Sequence, residues 1–269
     1  MRQFFKVVIG EIKKQHLNYF HSKLIYISLF IWPILSFVTS YYSFKPFKIN
    51  NSNINYLNEQ NVVVFIVLGY MTMSLFRSLV QSAWNFSFER MSGTLELIYL
   101  SPATRQGVIL GNALSSLFES VIFMVIFTLG VLIFKREVLN INYLSLMVVF
   151  IITLTMAVIW GMLLNSLFLF SRDSGFLFTI LEEPMEIFSG VKVPTSVFPF
   201  WAKGISLLFP LTYAIEAVRS VILKGSSLSG IINFIIIGVS IIALLYFACI
   251  KIIKIVEVHS RKTGNFTYF

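Results

Sequence analysis

Six runs of mostly apolar residues dominate this 269-residue chain. Each is close to the roughly 20 residues that cross a bilayer as a helix. They lie at about 24–42, 62–83, 108–134, 144–170, 175–191 and 231–250. In hydrocarbon every backbone N–H and C=O must be paired within the protein, which confines runs of this kind to helices. The expectation is an all-α integral membrane protein, a single transmembrane domain over 1–269 with six transmembrane helices. Composition agrees: 57% of residues are hydrophobic and 12% charged, whereas a soluble globular chain carries about 25% charged residues. Too little polar surface remains to cover a water-soluble particle. That excludes a soluble enzyme, a disordered chain and a disulfide-stapled domain. Cys249, the single cysteine, lies in an apolar run and reads as a small apolar filler.

Two segments differ from plain spans. Over residues 1–22, Phe5, Val8, Ile9 and Ile12 share one helical face, with Lys6, Lys13 and Lys14 mainly on another. This is the pattern of an interfacial helix in the membrane plane, its basic side towards anionic headgroups. A cytosolic amphipathic helix packed on a partner has the same pattern. No cleavable signal pattern precedes the first span. Between spans 5 and 6, the apolar stretch 197–211 is cut by Pro199 and Pro210 and is too short to cross. Residues 192–211 are therefore expected as re-entrant helices, tolerable at depth only where protein or water satisfies the backbone.

Orientation follows from the cations. With both termini on one side, thirteen of the 21 Lys and Arg residues fall there, Arg77 among them, and eight opposite, Arg219 among them. The excess favours cytoplasmic termini. The net charge of +9 then reports topology, and no nucleic-acid partner is expected.

No catalytic or metal site is visible. There is no G-x-x-x-x-G-K-[ST] loop and no Lys follows a Gly, so the chain carries no Walker ATP site. His16, His21 and His259 have no metal-ligand spacing and read as solvated polar residues. A G-x-S-x-G elbow is also missing.

The loop at 86–102 is more informative. It reads Phe88-Glu89-Arg90-Met91-Ser92-Gly93-Thr94-Leu95-Glu96-Leu97-Ile98-Tyr99-Leu100-Ser101-Pro102. Glu89, Arg90 and Glu96 supply charge at the membrane surface, Gly93 breaks the helix, and Thr94 is placed to cap the next turn. Leu95, Ile98 and Tyr99 form a small apolar face, and Pro102 stops it. Such a helix suits docking into a groove of another protein. Further on, Ser189-Gly190, Pro194 and Phe198-Pro199-Phe200-Trp201 precede Pro210-Leu211-Thr212-Tyr213-Ala214-Ile215-Glu216-Ala217-Val218-Arg219. Aromatics among prolines suit the headgroup level of the outer interface.

These two stretches resemble the membrane subunit of type 2 ABC exporters. That family's loop reads E-R-x-x-G-T-L-E followed by Ser/Thr-Pro, as at 89–102. Its later pattern, S-G, spaced prolines and P-L-T-Y-A-x-E-A-x-R, matches 189–219. Span number and the N-terminal helix agree, and the drug and natural-product exporters look closest. The resemblance implies a permease in a bacterial inner membrane, multi-pass, with both termini cytoplasmic. It would pair with a second permease, the same chain or a homologue, and with cytosolic ABC ATPase subunits that hold the ATP and Mg. No cofactor is expected in this chain. Glu89, Arg90, Gly93, Thr94, Leu95, Glu96, Ile98 and Tyr99 would form the coupling helix. Pro194, Pro199, Phe200, Trp201 and Tyr213 would belong to the outer gate. The expected cargo is a hydrophobic or amphipathic compound such as an antibiotic, peptide or lipid-like product. Export of a lipid-linked glycan is the alternative within transport, and an ATP-independent scaffold or sensor subunit the alternative outside it.

Charges within spans are the remaining signal, because they are costly there and mark function by default. Glu182, Glu183 and Glu186 crowd one side of span 5 at helical spacing, more acidic than this family usually is there. They are candidates for binding a cationic or amphipathic substrate, for ion pairs with Arg or Lys, or for facing water at the outer mouth. Glu119 shares a face of span 3 with Asn112, Ser115 and Ser116. This stripe, with Asn165 and more weakly Gln81, either lines a translocation path or forms hydrogen bonds between helices.

Overall fold

The computed structural model describes residues 2–19, scattered helical positions between 24 and 42, and residues 61–134, 141–170 and 174–263. Among the described residues the regular structure is entirely helical. In chain order the elements are α1 (Arg2–Tyr19), α2 (Val62–Met91), α3 (Thr94–Leu100), α4 (Arg105–Phe134), α5 (Tyr143–Phe170), α6 (Ser174–Phe188), α7 (Phe200–Ser206), α8 (Pro210–Lys224) and α9 (Leu228–Thr263). A short 3-10 turn at Thr195–Val197 precedes α7.

Among the described residues three helices are long and apolar enough to cross a membrane unaided, over Val62–Val80, Tyr143–Leu167 and Leu228–Ile255. The bent pair α7–α8 makes a fourth if counted as one broken span, its halves meeting at 94°. The cause of the bend is legible. Pro210 opens α8 at a position where its missing N–H costs nothing, and Phe209 before it is held extended, as the residue before a proline must be.

The core is organised around α2, which packs against α4, α5, α6 and α8. Of its spanning window 67% is buried, against 17% for α9. The six successive residues from Leu68 to Met73 are all buried, which closes off the whole circumference of α2 at that level. In contrast α9 rests on α5 and α8 and leaves Ile232, Ile236, Leu244 and Phe247 outward. A helix buried all round is central, whereas one exposing an aliphatic stripe needs an apolar solvent.

The N-terminal helix departs from the expected single apolar face. Val8 is buried together with Glu11 and Gln15, and this mixed face lies on α4, while Phe5 and Ile9 are exposed. Lys6 and Lys13 are also exposed. So α1 has three sides: polar and small residues towards protein, Phe5 and Ile9 on an apolar flank, and lysines beyond. Two apolar environments compete for one stripe, and the bundle takes Val8.

Candidate functional site

Three polar clusters are distributed along α2. The first closes its C-terminal end. Glu89, the last buried acid of the helix, is 7% exposed and turned towards α1. Lys14 Nζ lies 2.9 Å from Glu89 Oε1 and 3.0 Å from Oε2. Gln15 Nε2 donates to Glu89 Oε1 and to Glu11 Oε1, both at 2.8 Å. Lys14 also pairs with Glu11 at 2.7 Å. The expectation that Glu89 supplies surface charge is thereby corrected: its carboxylate fastens α1 to the end of α2, since a buried carboxylate must find donors.

The chain then breaks at Gly93, whose φ of 73° is left-handed and favours glycine. Thr94 does not cap α3; Gly93 occupies the N-cap position, without a side-chain cap hydrogen bond. Instead Thr94 Oγ1 donates back to the Glu89 carbonyl at 3.0 Å, joined by Ser92 Oγ at 3.2 Å. This satisfies an otherwise orphaned carbonyl at the end of α2. The helix stops at Leu100, with Ser101 as its C-cap in extended geometry before Pro102.

Of the apolar face expected on α3, Ile98 alone has a side chain among the described residues. Ile98 is half-buried and packs on the bundle core, whereas Leu97 and Leu100 are 67% and 82% exposed. The side chains of Arg90, Leu95, Glu96 and Tyr99 lie outside the described residues. A seven-residue helix held from behind by Glu89 therefore presents two leucines away from the bundle.

The second cluster sits at mid-height. Ser120 Oγ, midway along α4, donates to the Ser74 carbonyl at 3.4 Å. Arg77, one turn further along α2, pairs through Nε with Glu182 Oε1 of α6 at 2.9 Å. Glu182 is 5% exposed at its side chain and Arg77 47%. Glu182 Oε2 is buried without a hydrogen-bond partner among the described residues. Arg77 thus does not flank a span, as the cation count assumed, but lies within the bundle. The signal was available, since Arg77 falls inside the run 62–83 and a cation within a span pairs with an acid. Glu183, next along, is exposed, and Glu186 pairs with Lys192 at 2.8 Å. The three acids therefore have three different surroundings.

The stripe on α4 is enclosed. Asn112 and Asn165 are 1% and 0% exposed. Asn112 Nδ2 donates to Asn165 Oδ1 at 2.7 Å and to the Ser82 carbonyl at 3.1 Å. Asn165 Nδ2 donates to Ser82 Oγ at 3.2 Å and to the Gly161 carbonyl at 2.8 Å. These bonds stitch α2, α4 and α5 together. Ser115 and Ser116 bond back to the Asn112 carbonyl within their own helix. The side chains of Glu119, Gln81 and His259 lie outside the described residues, as does His21; His16 is exposed.

The third cluster lies at the N-terminal end of α2, where the α6–α7 turn arrives. Pro194 is buried and leads into the 3-10 turn. Pro199 precedes α7, whose Phe200 and Trp201 are 93% and 62% exposed. Trp201 meets Phe188 edge-on at 5.9 Å. Phe209, where α7 turns into α8, reaches Trp160 of α5 at 6.5 Å. Tyr213 Oη donates to the Leu207 carbonyl at 3.2 Å. Thr195 Oγ1 donates to Glu216 Oε1, tying the turn to α8. Arg219, read from sequence as a flanking cation, is 5% exposed and also lies inside the bundle.

The geometry is that of a helical bundle with a short helix at one end and a bent helical pair at the other. Residues 8–223 match the ABC-2 type transporter family. A protein of Cyanophora paradoxa named "Putative transport permease ycf38" is 30% identical over 216 residues, covering 75% of this chain and 70% of its own length. The match takes in most of the chain and both motif stretches, and the chain belongs to the ABC-2 type transporter family as a membrane permease subunit.

Proposed function

We propose that this permease is half of an ATP-driven exporter, in which α3 is the coupling helix that docks on a cytosolic ABC ATPase. The observation that carries the reading is α3 itself. It is set off by the left-handed Gly93, anchored from behind through Glu89 and α1, and presents Leu97 and Leu100 outward. Exposed leucines on a short, braced helix suit insertion into a groove. ATP and Mg belong to the partner in this reading, and nothing in this chain hydrolyses nucleotide.

Six spans, cytoplasmic termini and a bacterial inner membrane complete the proposal. The α3 end is then cytoplasmic, and α7–α8 is a re-entrant pair closing the outer side, with Pro194, Pro199, Phe200, Trp201 and Tyr213 at the gate. The 94° bend and the contact of Phe209 with Trp160 support the re-entrant assignment. A second permease, identical or homologous, supplies the other wall of the cavity. The cargo is a hydrophobic or amphipathic compound. Its path runs along the face bearing Arg77, Glu182 and Glu183, because a half-exposed guanidinium at mid-height borders protein or water rather than hydrocarbon. Glu119 and Glu186 belong to the same path, while Asn112, Ser115, Ser116 and Asn165 are assigned to helix packing.

A photocrosslinking residue at Leu97, compared with one at Ile232 on α9, tests the docking assignment in native membranes. The expected product at Leu97 is an adduct with a Walker-containing ATPase, and at Ile232 lipid or none. An ATPase adduct from neither position, with efficient crosslinking to other membrane proteins, favours the scaffold reading instead.

A further inference from the structure

We propose that Arg219 is a positioning residue that fastens the α6–α7 turn to α2, so that the outer gate follows α2 as one body. Arg219 projects from α8 into a buried site formed by two separate segments. Its Nη1 donates to the Gly190 carbonyl at 2.6 Å. Its Nη2 donates to the Val191 carbonyl at 2.8 Å and to the Phe65 carbonyl at 3.0 Å. The guanidinium carbon lies 3.4 Å from the centroid of the Phe65 ring. One planar group thus joins α2, α8 and the turn after α6.

The acceptors explain why a cation is used. Gly190 and Val191 lie past Phe188, the last residue of α6, and their carbonyls belong to the turn. Buried backbone carbonyls outside a helical ladder must find a donor elsewhere. A guanidinium supplies several donors in a fixed fork and stacks on an aromatic face, which an ammonium cannot do together. Gly69 makes room for it. A Cβ there would come within 2.2 Å of the Val191 carbonyl oxygen and 2.6 Å of Arg219 Nη2. The close approach of α2 to the turn and the seat of the guanidinium therefore depend on the same missing side chain.

The consequence follows from α2 being continuous. It runs from the Arg219 site at Phe65 to the Glu89 clamp without a break, about 36 Å at the usual helical rise. A tilt given to α3 and α1 at one end therefore arrives at Phe65. By holding both Phe65 and the turn at Gly190–Val191, Arg219 carries that tilt to α7.

The fastening rests on the proposed ATP-driven cycle only for its drive, and the experiment separates the two. The full chain, co-purified with its ATPase in nanodiscs, is followed by hydrogen exchange over residues 189–209, nucleotide-free and vanadate-trapped. Uptake of a fluorescent amphipathic cation and ATP hydrolysis are measured after reconstitution of the same complexes into sealed proteoliposomes. The variants are Arg219→Gln, Arg219→Lys and Gly69→Ala; the last keeps the guanidinium but displaces it, and carries the test if Arg219→Gln does not accumulate. The expected result is a nucleotide-dependent change over 189–209 in the parent that falls at least threefold in the variants. The ratio of transport to hydrolysis should fall at least fivefold, a change that general loss of fold does not produce. A nucleotide response and ratio equal to the parent's would overturn the proposal. If no ATPase accompanies the chain, the drive fails but the fastening is still read from exchange of the chain alone: faster exchange over 189–209 in the variants supports it, and unchanged exchange overturns it.

Discussion

Replacing Glu89 discriminates between an anchor and a docking contact. Its carboxylate accepts from Gln15, which is 2% exposed, and pairs with Lys14, whose side chain is 33% exposed. Removing a charged acceptor from a buried donor costs about 1.5–3 kcal/mol. The part-exposed lysine adds little, about 1 kcal/mol or less after solvent screening, and it keeps Glu11 as a partner. Glu89→Ala should thus destabilise the chain by about 2–4 kcal/mol, a range set by the single buried amide bond and the screened pair. Glu89→Gln, which preserves an acceptor, should cost roughly half as much. A double-mutant cycle with Gln15→Ala isolates the pair and should return a coupling of about 1–2 kcal/mol. The assay is reversible unfolding in mixed micelles, with hydrogen exchange of α1 as the local readout. ATPase association should weaken only in step with the exchange of α1. Stability within about 0.5 kcal/mol of the parent, the usual range for an uninvolved surface change, together with loss of the ATPase, would refute the anchor and restore Glu89 to the docking face.

Other expectations follow from the same geometry. Leu97→Glu should abolish recovery of the ATPase while leaving the unfolding midpoint unchanged, because the side chain is exposed; a large loss of stability would contradict this. Asn165→Leu should cost about 1–2 kcal/mol, the scale of interhelical hydrogen bonds in membranes, with transport per folded molecule intact; selective loss of transport would return Asn165 to the cargo path. Arg77→Gln alone should destabilise more than Arg77→Gln with Glu182→Gln, since the single change strands the buried Glu182 carboxylate; additive losses in unfolding would oppose the pairing. Glu182→Gln combined with Glu186→Gln should reduce substrate-stimulated hydrolysis and export if the acids face cargo, and unchanged rates would remove them from the path.

Helices announced themselves in the sequence by apolar length and by their punctuation. Gly93, Pro102, Pro199 and Pro210 end or open elements where their backbone chemistry requires. Partners did not, because pairing is a property of packing. The acids at 182–186 stood out, yet only the approach of α2 to α6 gives Glu182 to Arg77 and leaves Glu183 outside. Hydrophobic periodicity finds apolar faces and is blind to a polar one that is buried, so the Glu11–Gln15–Glu89 network was hidden behind the Phe5–Val8–Ile9–Ile12 stripe. On α3 the spacing grouped Ile98 with Leu95 and Tyr99, but spacing alone does not say which side of a short helix meets its own bundle, and Ile98 packs on the core. Arg77 and Arg219 were assigned to the membrane flanks by a rule that counts cations near spans. Arg77 sits half-exposed at mid-helix against a carboxylate, and Arg219 is buried among carbonyls.

The central claim is that this permease works with an ATPase docked on α3. Purification of the tagged chain from native membranes in mild detergent, with mass spectrometry of the bound proteins, tests it most directly. The prediction is a Walker-containing ATPase in stoichiometric amount, lost from the Leu97→Glu chain, with one or two permease species defining the symmetry of the complex. Recovery of the intact chain without any ATPase, under conditions that preserve other such complexes, would contradict it.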